Sequence, residues 1–175
     1  LRRYKKGEIV RIGVKDILSI ASLEETLGEI SSLADAFLTV IYEISRKELA
    51  QEYGEPIAGK VSARYAIFGM GKLGGAELGY SSDLDIIFVY DGEGNTSGKK
   101  MITNQEYFAK LSEKIISILG SATGEGVLYR VDARLRPGGK SDFLVLSLDG
   151  YRNYYGVRSM TWEKQALTKA RFICG

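Results

Sequence analysis

The sequence contains no histidine. That absence removes histidine general acid–base catalysis, Ser-His triads and most zinc sites together. A single cysteine, Cys174, leaves no intrachain disulfide to form and fits a reducing, cytoplasmic setting. No apolar run reaches the roughly 18–20 residues that a membrane helix needs, and no secretory leader pattern opens the chain. Charge of one sign is not in excess either. Lys and Arg number 24 against 22 Asp and Glu, a formal net charge of +2, so nothing global demands a nucleic acid or a membrane surface. The chain has no initiating methionine and stops just after an apolar stretch, which reads as an excised piece of a longer polypeptide. What is present is ordinary: 175 residues, 45% hydrophobic and 26% charged, enough for one globular core with a helical appendage.

The first twenty residues set Arg2, Arg3, Lys5, Lys6, Arg11 and Lys15 among Ile9, Val10, Ile12, Val14, Ile17 and Leu18. This predicts an amphipathic helix with a solvated basic face, a nucleic-acid contact being the alternative. Ser22 followed by Glu25 is a capping box, and it opens a helix with apolar spacing through Leu27, Ile30, Leu33, Phe37, Leu38, Ile41 and Ile44. Gly54 and Pro56 end it. Ser31 and Ser32 leave open a second N-cap and two shorter helices. Residues 64–68 and 84–90 read as strands, the second apolar on both faces at Ile86, Ile87, Phe88 and Val89 and therefore central. Residues 91–100 form a loop. Thr103 and Glu106 make another capping box, opening a helix that Gly120 closes. Residues 127–135 alternate as a third strand, stopped by Pro137, Gly138 and Gly139. Residues 143–148 suggest a fourth strand, 149–170 a helical stretch, and Phe172 and Ile173 the start of another strand.

Residues 69–74, GMGKLG, match a dinucleotide-binding pattern directly after a strand, with Asp91 about twenty residues on. That fingerprint needs a full crossover helix, yet Gly75 and Gly79 interrupt the interval and strand character resumes at Leu84. A phosphate-binding loop of the Walker type fails as well, because Lys72 is followed by Leu73 and not by Ser or Thr. Two readings remain: a tight turn that needs glycine for its dihedrals, or a short helical turn whose amides face an anion. In the second, Gly71, Gly74 and Gly75 permit close backbone approach, Lys72 adds charge, and Ser81 and Ser82 supply hydroxyls.

Asp83 and Asp85 flank Leu84 at the start of a strand, so period-two geometry puts both carboxylates on one face. Like charges so placed are costly when buried unless a cation lies between them; exposed, they are a solvated strand end. In residues 127–136 the alternation sends Arg130, Asp132, Arg134 and Arg136 to the opposite face from Val127, Tyr129, Val131, Ala133 and Leu135. Such a face suits either ordinary surface ion pairs or a functional cluster. If Asp132 lies beside Asp83 and Asp85, three hard oxygen donors converge, a set that suits Mg²⁺ or Mn²⁺. The arginines would then face a polyphosphate. This is metal-assisted phosphoryl-type chemistry, and it works without histidine.

Three ordered stretches are more specific: GMGKLGGAELGYSSDLD over residues 69–85, VDARLRP over 131–137 and TWEKQALTKAR over 161–171, with LADA at 33–36. Together they resemble the glutamine synthetase adenylyltransferases, a branch of the DNA polymerase β-like nucleotidyltransferases, along nearly the whole chain. The resemblance implies an α+β nucleotidyltransferase fold with a mixed central sheet flanked by helices. It implies an N-terminal helical segment over residues 1–58 and a catalytic core over 59–175. Asp83, Asp85 and Asp132 become metal ligands and catalytic residues, and Asp132 the group that helps activate an acceptor hydroxyl. Gly71, Lys72, Gly74, Ser81, Ser82, Arg134 and Arg136 become phosphate contacts. Trp162 and Glu163 are expected in packing and support.

The implied reaction is Mg²⁺-dependent transfer of AMP from ATP to a tyrosine of glutamine synthetase, in the cytoplasm, with a PII-type signalling protein acting through other parts of a larger enzyme. The family has two homologous halves, one attaching AMP and one removing it by phosphorolysis to ADP. Residues 79–80, 128–129 and 162–167 are more like the attaching half, while 104–108 and Met70 also suit the removing half. Attachment is preferred, with removal and a non-catalytic nucleotide-sensing module as alternatives. Ala76 stands where the family usually carries a larger residue.

Overall fold

The structure is a computed structural model that describes residues 1–139 and 143–175. Helix α1 (Arg2–Ile17) leads by a short turn into α2 (Leu23–Tyr53). The capping box forms: Ser22 Oγ accepts from the Glu25 amide at 3.2 Å, and the Glu25 carboxylate accepts from the Ser22 amide at 2.7 Å. Gly54 caps the far end with φ +78°, a conformation glycine adopts at no steric cost. The helix is continuous, so Ser31 opens no second helix. Its hydroxyl donates to the Leu27 carbonyl one turn back and leaves the helix unbroken.

A small sheet follows, in which β1 (Pro56–Ala58) lies between β2 (Val61–Ser62) and β5 (Asn95–Thr96). The sequence offers no alternation for strands this short, and residues 91–100, expected as plain loop, contain one of them. The main sheet is built on β3 (Tyr65–Gly69) and β4 (Leu84–Tyr90), an antiparallel pair in register from Tyr65 opposite Tyr90 to Gly69 opposite Ile86. Between them lies α3 (Gly71–Gly74), a single turn. An antiparallel pair joined by one turn excludes the parallel βαβ unit, as the spacing predicts. On the outer side of β3 runs β8 (Arg171–Cys174), antiparallel. On the outer side of β4 run β6 (Val131–Asp132) and β7 (Val145–Ser147), both parallel to it. The sheet is therefore mixed and β4 is central.

Two helical layers cover it. Strand positions Tyr65, Ile67, Leu84, Ile86, Phe88 and Tyr90 join Ile30, Leu33, Phe37, Leu38 and Ile41 of α2 in the main core. The same core takes in Phe108, Leu111 and Ile115 of α4 (Asn104–Gly120). Each such side chain stabilises the fold by about 1.5–3 kcal/mol when fully buried. On the opposite face Met70, Ile87 and Tyr151 form a smaller core with Leu146, Tyr155 and Leu167. Its helices are α5 (Leu148–Val157) and α6 (Thr161–Leu167), so the helical stretch is broken at residues 158–160. Helix α4 is capped by Thr103, whose Oγ1 accepts from the Glu106 amide at 3.1 Å, and it runs through Gly120 to end at Ser121.

Two expectations are corrected. The alternation of residues 127–135 does not become a strand of that length; only Val131 and Asp132 pair. Leu128 and Tyr129 are both buried, which no single extended face permits, and their amides both reach the Leu119 carbonyl at the end of α4. The basic face of α1 is also not simply solvated. Arg2 donates to the Gly126 and Ile118 carbonyls at 2.8 and 3.3 Å and to Ser121, beside the C-terminus of α4. Lys5 donates to the Leu128 carbonyl and lies 3.6 Å over the Tyr129 ring, and Arg11 and Lys15 pair with Glu29 of α2. Ile12 of α1 is buried in the same core as the sheet, which is thus continuous across the boundary near residue 58.

Candidate active site

Asp85 lies on the face of β4 shared with Ile87 and Val89, directly opposite Asp132 of β6 in the parallel register. Asp83 precedes the strand and is exposed, whereas Asp85 and Asp132 are half-buried. The Asp85 carboxyl is held above the usual carboxylate range, first by burial and then by the negative charges of Asp132 and Asp83; Arg134 and Lys72 pull it the other way. The negative charges of Asp132 and Asp83 are thus both felt at Asp85.

Asp132 is turned toward the basic turn that follows it. Its Oδ1 accepts from the Arg134 amide at 2.8 Å, and the Arg134 guanidinium straddles both carboxylate oxygens. This contact raises the Arg134 pKa further, though the guanidinium itself is exposed. Arg136 points elsewhere, donating to the Ala133 and Phe143 carbonyls at 2.6 and 3.2 Å and so bracing its own loop. Gly138 and Gly139, with φ of +69° and +60°, turn the chain away after Pro137.

The glycine-rich stretch sits against this cluster. Gly71 has φ +51°, and a Cβ there would lie 2.9 Å from Asp85 Oδ2, so its backbone comes as close to the carboxylate as any residue could. Gly74 is required for a different contact: a Cβ would meet the Lys169 carbonyl at 1.8 Å. The tight-turn and short-helix readings are thus both right about geometry, because the turn is helical and needs its glycines. Lys72 is exposed beside Asp85. The Ser82 hydroxyl accepts from the Gly79 amide at 3.1 Å and closes the loop before Asp83, while Ser81 is exposed. Tyr80 reaches back to α1, its hydroxyl donating to Asp16 at 2.9 Å. Ala76, at φ +55°, holds a left-handed conformation that costs a non-glycine residue about 1 kcal/mol.

The residues that hold this loop lie outside the expected site. Arg171, at the end of the third motif, pairs through two nitrogens with Asp35 of α2 at 2.7 and 3.1 Å. It also donates to the Leu73 and Gly74 carbonyls at 2.9 and 3.2 Å. Ser31, buried one turn before Asp35, accepts from the Leu78 amide at 3.0 Å. The available signal was two polar residues, four apart, on the otherwise apolar face of α2. Glu163 does support its surroundings, accepting from the Tyr154 hydroxyl and the Met160 amide at 2.7 Å each. Trp162 does not pack: it is 58% exposed, because α6 turns Glu163 inward and its neighbour outward.

The donor set fits a hard divalent cation in chemistry, with three carboxylates whose mutual repulsion such an ion relieves. Among the described residues no three acidic groups close around a common point. Asp132 is engaged by the Arg134 guanidinium. No helix among them is long and apolar enough to cross a membrane.

The family model for glutamate-ammonia ligase adenylyltransferase matches residues 1–175. Among curated relatives, the bifunctional glutamine synthetase adenylyltransferase/adenylyl-removing enzyme of Haemophilus ducreyi is 39% identical over 178 residues, covering 100% of this chain and 19% of that protein. The proteins of that name from Thioalkalivibrio sulfidiphilus and Alteromonas mediterranea are 40% and 41% identical over 176 and 174 residues. They cover 100% and 99% of this chain, and 18% of each relative. The chain thus spans about a fifth of the length of the curated relatives it matches.

Proposed function

The chain belongs to the glutamate-ammonia ligase adenylyltransferase family, and from that premise we propose that it is the adenylyl-transfer core, joining AMP from ATP to a tyrosine hydroxyl of glutamine synthetase with pyrophosphate as the leaving group. The observation that carries this reading is the register of Asp85 beside Asp132, with Asp83 near and Gly71 pressed against the Asp85 carboxylate. The fold is of the polymerase β-like nucleotidyltransferase kind, with residues 1–58 as a helical segment packed on a catalytic core at 59–175.

Asp83, Asp85 and Asp132 would hold Mg²⁺ or Mn²⁺, which when bound polarises phosphate oxygens and neutralises their charge. The chain's own groups do the rest. Gly71 and Gly74 let the backbone approach the phosphates closely, while Lys72, Ser81 and Ser82 supply a cation and two hydroxyls around them. Arg134 would exchange its carboxylate partner for a phosphate oxygen, and Arg136 would hold the loop that carries it. Asp132, once released, would accept the proton of the attacking tyrosine hydroxyl.

Attachment is preferred over removal because residues 79–80, 128–129 and 162–167 are more like the attaching half. The relatives' name covers both activities, so phosphorolytic removal giving ADP is the second reading. A PII-type regulator would act through regions beyond this chain, and the setting would be cytoplasmic. A nucleic-acid substrate is disfavoured, because Arg2, Lys5, Arg11 and Lys15 already have internal partners.

Incubation with adenine-labelled ATP, Mg²⁺ and glutamine synthetase tests the direction, with and without phosphate and prior adenylylation. Label gained by the synthetase is expected. Phosphate-dependent loss of label as ADP would assign removal instead. ATP binding that survives loss of all three aspartates, without turnover, would make the chain a nucleotide-sensing module.

A further inference from the structure

The glycine-rich turn is anchored in the core by Leu73, with Met70 and Leu78 buried on either side of it, but its polar backbone must also keep a fixed position beside Asp85. Two side chains of α2, one helical turn apart, hold its C-terminal side, Ser31 directly and Asp35 through Arg171. Ser31 is buried and its Oγ accepts from the Leu78 amide, which fixes the C-terminal exit of the loop. Asp35 lies on the same face of the helix and holds Arg171 by a two-pronged ion pair. Arg171 in turn donates to the carbonyls of Leu73 and Gly74. These are the last carbonyls of the α3 turn, where the backbone carries partial negative charge; the Leu73 carbonyl also accepts from the Ala76 amide at 3.2 Å. The guanidinium thus does three jobs at once. It neutralises Asp35, satisfies the end of the turn, and ties β8 and α2 to the loop.

A lysine could not do this, since a single ammonium lacks the planar fork needed to span a carboxylate and two carbonyls. The close approach at Gly74, where the Lys169 carbonyl leaves no room for a Cβ, makes the contact still less forgiving. Neither Arg171 nor Asp35 is among the charges that shift Asp85, so any effect they have on nucleotide must pass through the loop.

We infer that Arg171 is a positioning residue of the nucleotide site: with Asp35 and Ser31 it clamps the Gly71–Gly74 turn so that the loop meets the phosphates beside Asp85 in one fixed geometry. The clamp rests on the proposed nucleotidyltransferase reading for its consequence, but not for its existence. The third motif, residues 161–171, therefore serves the first motif mechanically.

The test compares the whole chain with its Arg171→Lys and Asp35→Asn variants by two independent readouts. The first is hydrogen exchange at the amides of Gly74, Gly75, Ala76 and Glu77, which bond within the turn. The second is affinity for Mg²⁺·ATP, measured at a temperature where every variant is folded. Ile115→Val, a buried change in α4 remote from the loop, controls for general loss of stability. Both variants should exchange about tenfold faster at those four amides, and should bind Mg²⁺·ATP about tenfold more weakly, while Ile115→Val keeps the wild-type affinity. Unchanged exchange, or wild-type affinity with faster exchange, would overturn the inference. Failure of the unmodified chain to bind Mg²⁺·ATP would instead sink the proposed function, with the exchange measurement still deciding whether the clamp exists.

Discussion

At the scale of single residues, the glycines and aspartates of the first motif divide their duties sharply. Gly71 and Gly74 both refuse a side chain, for different reasons. At Gly71 an alanine meets a carboxylate and an unfavourable positive φ, a cost of about 1 kcal/mol in the backbone alone. The displaced Asp85 should lower transfer on the order of 100-fold. At Gly74 the obstacle is backbone, which cannot swing away, so Gly74→Ala should destabilise the fold by about 3 kcal/mol. Urea titration and initial-rate measurement on the two variants separate a catalytic loss from a folding loss. Asp85 offers a second prediction. A carboxyl whose folded-state pKa is raised binds its proton more tightly in the folded chain. Its favourable contribution is full below the unfolded-state pKa and disappears as pH rises through the folded-state value. At neutral pH the charged Asp85 is therefore a burden on stability. Asp85→Asn should raise Tm at neutral pH while abolishing transfer, and the gain should shrink as pH falls through the raised folded-state pKa toward the ordinary carboxylate value of about 4. A variant that melts lower than wild type at neutral pH would contradict the crowding of these carboxylates.

At the scale of elements, helix starts were the most legible feature, because a cap is a local contract between residues three apart. Ser22 with Glu25 and Thr103 with Glu106 are readable from sequence; the Ser22 box closes in both directions, and at Thr103 the hydroxyl accepts from the Glu106 amide without the reciprocal bond. Ser22→Ala and Thr103→Ala should each cost about 1 kcal/mol of unfolding free energy, measured by urea denaturation. The expected strand over residues 127–135 failed for the opposite reason. Alternation records which side chains differ in polarity, not which amides find partners, and here Leu128 and Tyr129 are drawn together under α1 and α4. The short strands of the side sheet lay below the reach of any period. Helix α2 mixes both cases. Its apolar stripe was plain, while Ser31 and Asp35 within that face looked like an interruption until the loop they hold was in place.

At the scale of the whole molecule, the N-terminal helices and the sheet share one core that runs from Ile12 through α2 and α4 to β3 and β4. The aromatic stack of Tyr42, Tyr65 and Phe108, with centroids 5.7 and 5.3 Å apart, crosses the boundary between the helical segment and the sheet. Thermal unfolding should therefore be a single transition, with helix content by far-UV circular dichroism and tyrosine packing by near-UV dichroism falling together. Two separated transitions would mean that residues 1–58 fold apart from the rest. The basic helix α1 is engaged internally at this scale as well, stitching α2 and the end of α4 to the segment that leads into β6.

The sequence by itself determined the chemistry available: no histidine, three aspartates in two motifs, glycines beside a lysine, and helices announced by their caps. It determined the central place of β4, because a strand apolar on both faces has to be covered on both. Only the tertiary structure decided which groups meet. The parallel register sets Asp132 against Asp85, the turn after it hands Asp132 to Arg134, and Arg171 reaches across 136 residues to Asp35. Those pairings depend on how layers stack and where strands end, and local periodicity carries no information about either.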